Sequence, residues 1–312
     1  ESNTLTVEVT PLPLSVLAVS VPVAPAKNAQ YPALTAGQPY DITVSAADIY
    51  GNPIDGYAGT VRFTSNDGGA VLPPDYTFIP EDNGAHTFAG GLTIFHAEPN
   101  EPVTVTATDT ASPEMTGTLY VTVNPGQAVY LAVTGIPSPY QAGEKSDVIV
   151  TAFDQYGNVA TGYTGKIAFT SNDGTTSGSL KPKLPGAYSF KSKDLGTHTF
   201  SKGITLNNTD IVYEVTATDI NNPAVTGAQS GIHVNPGPAQ KLAIEVADLV
   251  KAAVTPEITA GDIFRVTVRA IDKFGNTAPE YTGTVNFSSN DKIAELPADY
   301  TFTSGDSGSH TF

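Results

Sequence analysis

Cysteine is absent from the 312 residues, so a disulfide framework, a thiolate metal site and a cysteine nucleophile are all excluded. Basic residues are scarce: 15 Lys and Arg stand against 31 Asp and Glu, for a net charge of −16. Phosphate recognition needs a basic face, which argues against nucleic acid as a partner. An acidic surface suits a secreted protein held soluble at high local density. No transmembrane segment is present either, because the most apolar stretch, residues 11–25, is short and interrupted by Pro11, Pro13, Pro22 and Pro25. No run of ten or more residues carries a helical apolar stripe. Serine-hydrolase elbows, zinc-protease, Walker and dinucleotide-glycine signatures are missing in any fitting context. Acidic pairs that could serve a glycosidase recur in every copy of a repeat, which an active site rarely does. The chain therefore reads as a non-enzyme. Lysine is absent between Lys27 and Lys145, so the first complete domain cannot hold a lysine isopeptide crosslink.

What the sequence does contain is a domain-sized repeat. Three copies begin at Ala36, Ala142 and Ala260 and run through D-x-[YF]-G-N to [TS]-S-N-D, then to Y-[TS]-F and D-x-G-x-H-T-F. His86, His198 and His310 mark one position at a spacing of 112 residues, too long for a solenoid. Val44 and Ala46, Val148 and Val150, and Val266 and Val268 belong to period-two runs rich in valine and threonine. The 29 Gly and 24 Pro fall mostly between these runs as turns. The second copy holds about seven strands, from Tyr130–Val133 to Gly231–Val234. Seven antiparallel strands in such a span predict an all-β fold of tandem immunoglobulin-like Greek-key β-sandwich domains.

V-N-P-G-[QP]-A, at Val123–Ala128 and Val234–Ala239, marks the boundaries, and these short linkers predict a semi-rigid rod. The opening T-L-T-V-E-V-T-P matches the closing strand T-L-Y-V-T-V-N-P of the next repeat. The expected division is residues 1–10 as the final strand of a preceding domain, then domains at 11–125 and 126–236. A third domain, 237–312, is expected to stop two strands early. The natural protein is therefore expected to continue in both directions, with strand exchange through residues 4–10 as the less favoured alternative.

These motifs resemble bacterial Ig-like (Big) tandem repeats of large surface proteins, the modules of invasin- and intimin-type adhesins. That resemblance implies a structural or adhesive region of an extracellular, cell-surface protein: an adhesin stalk, surface layer or filament. The implied partners are identical chains or other cell-surface components. Carbohydrate-binding or spacer modules of an exported glycan-degrading enzyme are the alternative.

In D-x-[YF]-G-N (Asp48–Asn52, Asp154–Asn158, Asp272–Asn276) glycine supplies positive φ, Asp and Asn cap loop amides, and the aromatic is expected to lid the core. No cofactor is expected. Calcium is the rival reading of these oxygens, joined by Asp109 or Asp219. The repeated histidines read as hydrogen-bonded strand residues, and Tyr57, Tyr163 and Tyr281 as packing rather than sugar platforms. Ser65–Asp67, Ser171–Asp173 and Ser289–Asp291 read as turns. Sequons at Asn207 and Asn286 allow glycosylation. No catalytic, cofactor or metal residue is assigned.

Overall fold

The computed structural model describes residues 16–97, 101–175, 177–246, 261 and 263–312. The expected first strand, residues 4–10, and the third repeat's Ala260 lie outside these. Two compact units are formed. One comprises Glu1–Tyr130, Ala152–Tyr163 and Lys191–Gly196; the other comprises Leu131–Thr151, Thr164–Phe190 and Thr197–Phe312.

The first sandwich pairs β1 (Val16–Ser20), β3 (Pro39–Ala47) and β6 (Ala85–Thr93) in the order β1-β3-β6. Its second sheet has the order β2-β8-β7-β4-β5, from β2 (Ala33–Thr35), β4 (Thr60–Ser65), β5 (Tyr76–Thr77), β7 (Val103–Asp109) and β8 (Thr116–Asn124). Strands β3 and β4, and again β6 and β7, are consecutive yet lie in opposite sheets, the crossing pattern of a Greek-key sandwich. Alternation explains the core. Val103, Val105 and Ala107 of β7 and Leu119, Val121 and Val123 of β8 point inward, meeting Leu17, Ile42, Val44, Ala46, Val61 and Phe63. Phe88 is half-buried, edge-on to Phe63 at 5.3 Å. Outward threonines pair across strands, as Thr43 with Thr87 and Thr106 with Thr118. One inward position must stay bare: a Cβ on Gly117 would stand 1.7 Å from the Leu17 carbonyl oxygen.

In the second repeat, β9 (Tyr130–Thr134), β11 (Ser146–Phe153) and β14 (Thr197–Ile204) form one sheet. The other sheet is β13-β12-β15-β16, from β12 (Lys166–Ser171), β13 (Tyr188–Ser189), β15 (Tyr213–Asp219) and β16 (Thr226–Ile232). β10 (Tyr140–Gln141) pairs in parallel with β17 (Val234–Asn235), as β2 does with β8. Nine segments thus replace the expected seven, because two-residue strands leave little trace in the sequence. The closing strand carries a bulge within β16, where register shifts between Tyr213 and Val215, opposite Gly231 at φ 73°. It is then interrupted at His233, between β16 and β17.

The third repeat contains β18 (Lys241–Val246), β19 (Val266–Ile271) and β22 (Ser309–Thr311) in one sheet, and β20 (Thr284–Val285) beside β21 (Tyr300–Thr301). Val268, Val285 and Phe302 are its buried centre. Leu242 is 45% exposed, whereas its counterparts Leu17 and Leu131 are 1% and 3% exposed. In the complete sandwiches that position is covered by the closing strand, which has no third copy within the 312 residues. Among the described residues the only helical pieces are three-residue 3-10 turns at Pro80–Asp82, Ser192–Asp194 and Ser304–Asp306. No described helix is long and apolar enough to cross a membrane.

Candidate functional site: clasps between repeats

The D-x-[YF]-G-N loops adopt one conformation in all three copies. A single antiparallel bridge closes each one: Ala47 to Pro53, Phe153 to Val159, Ile271 to Thr277. Glycine in the fourth position takes φ of 82°, 85° and 104° at Gly51, Gly157 and Gly275. A side chain would be strained there. The leading aspartate organises the rest through its two oxygens. Asp154 Oδ1 accepts from the Tyr156 and Asn158 amides, each at 2.9 Å. Its Oδ2 accepts from Asn158 Nδ2 at 2.9 Å and from the linker amide of Gly126 at 2.8 Å. Asp272 repeats this, taking the Phe274 and Asn276 amides, Asn276 Nδ2 and the linker amide of Gly237. Burial alone would raise the pKa of Asp154, but the Asn158 amide, the Gly126 amide and the loop amides outweigh it and hold the carboxyl below its usual range. Asp272 is lowered by the same balance.

The asparagine thus oriented reaches into the preceding repeat. Asn158 Nδ2 donates to the Phe95 carbonyl at 2.8 Å, and Asn158 Oδ1 accepts from the Ala97 amide at 2.9 Å. Within the second unit, Asn276 Nδ2 donates to the Asn207 carbonyl at 2.7 Å, and Oδ1 accepts from the Thr209 amide at 3.3 Å. A side-chain amide here imitates a peptide group, filling one carbonyl and one N–H two residues apart at the end of a strand. Asn158 is 7% exposed, so these bonds are shielded from competing water.

The aromatic between Asp and Gly does not lid its own core, as the sequence suggests. Tyr156 packs against the first sandwich, 5.0 Å from the Phe95 ring, and fills the space over Gly37, where a Cβ would stand 2.0 Å from the tyrosine oxygen. Phe274 covers Gly143 in the same way, 2.3 Å from a would-be Cβ. Both glycines also sit at positive φ, 74° and 79°. The glycine of the A-G that opens the first and second copies is therefore a seat for the next repeat's aromatic.

The [TS]-S-N-D aspartate shapes the other wall. Asp67 Oδ2 accepts from the Phe95 and His96 amides at 2.8 and 3.1 Å, presenting the carbonyl and N–H that Asn158 uses. In the second repeat Asp173 takes the Tyr213 hydroxyl at 2.6 Å, and that oxygen accepts from the Asn208 amide at 3.3 Å. Sequence reasoning read these residues as turns. Their recurrence beside the strand end was the available signal for more.

The remaining candidates are accounted for separately. His86 lies on β6, stacked on Tyr76 at 3.9 Å with Nδ1 2.8 Å from Asp82. His310 repeats this with Tyr300 and Asp306, and His198 stacks on Tyr188 at 3.8 Å. Asp109 receives the buried Tyr57 hydroxyl at 2.6 Å and two amides, so it serves a different loop from Asp48. Tyr163 and Tyr281 are half-buried. Asn207 is buried, its Nδ2 donating to the Ser179 and Lys181 carbonyls, which leaves a glycan no room there. Among the described residues, no three His, Asp or Glu side chains converge as a metal site.

Similar solved structures include bacterial adhesins. The adhesin FdeC of Escherichia coli is 16% identical over 97% of this chain and 89% of that chain, with a TM-score of 0.47. Invasin, described as a bacterial integrin-binding protein, is 19% identical over 92% of this chain and 53% of that chain, at 0.33. The Yersinia pseudotuberculosis adhesin InvE is 15% identical over 88% and 73%, at 0.32. No family model matches the chain, and no curated protein matches it.

Proposed function

We propose that this chain is a non-catalytic, load-bearing repeat region of a large extracellular bacterial surface protein, serving as an adhesin stalk, surface layer or filament. The observation that supports this reading most directly is the doubled clasp. Asn158 and Asn276 each bond a neighbouring repeat's main chain, and Asp154 and Asp272 each tie the intervening linker to the same loop. The repeated polar residues are thus spent on joining modules. Tension applied along the chain meets hydrogen bonds shielded from water at every junction before it reaches a sandwich core. A cysteine-free, acidic composition suits such a protein outside the cell. Partners under this reading are identical chains or other surface components.

Immunogold electron microscopy of native cells tests the proposal. Label on a surface-attached stalk, sheet or fibre is expected. Label confined to the cytoplasm, or to a soluble complex that hydrolyses glycans, would overturn it.

A further inference from the structure

The second repeat shows apolar side chains on its surface at places where the other two repeats are mostly smaller or polar. Phe153 stacks on Tyr130 at 5.2 Å, accepts the Val129 amide through its carbonyl at 2.8 Å and is bridged to Val159. Val159 in turn abuts Gly196, its Cγ1 3.0 Å from a would-be Cβ there, next to Leu195. Val129, Tyr130, Val159 and Leu195 are all exposed, Leu195 by 62%. In the third repeat the equivalents of these four are Gln240, Lys241, Thr277 and Ser307. The first repeat has Val16, Ala47, Pro53 and Asn83 for Tyr130, Phe153, Val159 and Leu195.

Leu195 is the residue that folding does not explain. It follows the 3-10 turn Ser192–Asp194 at φ 46°, as Asn83 and Ser307 follow theirs at 48° and 49°. Asparagine tolerates this left-handed conformation, whereas leucine is strained in it and here gains no burial in return. A strained and exposed apolar side chain points to a contact made outside its own sandwich.

Charge indicates what the contact is made with. Leu195 is flanked by Lys191 and Lys193, both exposed. The same turn in the first repeat has Ile79 in place of Lys191 and Glu81 in place of Lys193, also exposed. Residues 11–125 hold two basic and eleven acidic side chains, against seven and eight in residues 126–236. We infer that the apolar patch of the second repeat docks on the Ile79–Asn83 turn of a second copy of this chain, Leu195 against Ile79 and Lys193 against Glu81. Every copy carries both halves of the contact, so it engages one neighbour and receives another. A single contact of this size is weak, and repetition along an array makes it firm. The inference rests on reading identical chains as partners of a surface array.

Sedimentation equilibrium of the full chain at low and at moderate salt tests it. Reversible association is expected as concentration rises, weakened by salt. Leu195→Asn should weaken it about tenfold. The melting temperature of that variant should hold or rise, because asparagine relieves the strain. Lys193→Glu and Glu81→Lys should each abolish association alone. Mixing these two variants should restore it between unlike chains only, since every contact in the mixture then pairs opposite charges. A chain monomeric at every concentration overturns the inference, and so does a mixture that stays monomeric. Association unchanged by Leu195→Asn also overturns it, and a lower melting temperature of that variant would make the leucine structural. Label on the cell surface can stand while this contact fails, and the contact can stand where the label is absent.

Discussion

The two seated clasps share their polar half and differ in their surroundings. At the first, the residue offering its carbonyl is Phe95, whose ring meets Tyr156. At the second it is Asn207, which draws in the Ser179–Lys181 segment, and Ser179 Oγ then donates to the Phe274 carbonyl at 2.8 Å. Lys273 also lies over the Phe274 ring at 4.7 Å. Phenylalanine and asparagine occupy one position with opposite chemistry, and the asparagine clasp is undisturbed. It survives because Asn158 and Asn276 address main-chain groups, which every residue at that position supplies. The polar half therefore fixes where the junction forms, and the apolar half adjusts how firmly it holds.

Removing the shared half should have the largest effect. Asn158→Ala and Asn276→Ala each orphan a carbonyl and an N–H, and should each cost about 2–4 kcal/mol. Denaturant unfolding of the full chain measures this. A loss at one site only would break the equivalence. Acid should act next, and on both clasps together. Asp154 and Asp272 have lowered folded-state pKa values, so the stability they lend is complete above the ordinary carboxylate pKa of about 4 and is lost as pH falls through the depressed values. Thermal melts from pH 7 down to pH 2 should show the loss only at the acid end. Asn158→Ala should flatten the part belonging to Asp154.

A smaller change should make one junction resemble the other. Phe95→Asn removes the ring contact with Tyr156 but keeps the carbonyl, and should cost about 1 kcal/mol. Tyrosine fluorescence should shift as Tyr156 loosens, while hydrogen exchange at Ala97 stays slow. Loss of protection at Ala97 would show that the polar half depends on the ring after all. Lys273→Ala should be the mildest, about 0.5 kcal/mol, since the ammonium stands at a partly exposed face. A comparable effect of Gln155→Ala at the first junction would argue against the cation–π assignment.

Much of this architecture is written in local sequence pattern. Alternation at Val44 and Ala46 or Val103 to Ala107 reports which side chains face inward, and D-x-[YF]-G-N announces both its positive-φ glycine and its capping aspartate. The destination of Tyr156 and Asn158 is a different kind of information. Their partners Phe95 and Gly37 lie in another repeat, and period-two patterning is silent about contacts made beyond a residue's own sheets. The same limit applies to Asp67: a turn aspartate and one that also positions Phe95 for a neighbour read identically. The duty of Gly37, leaving room for a ring, depends on geometry alone.

Because the asparagine recognises main chain and the aromatic needs only a glycine opposite it, the side chains around a junction are free to drift. A gene segment encoding one repeat could then be duplicated, deleted or moved along the array, and the new neighbours would join without first having evolved together. Array length can vary in inheritance while every joint remains competent.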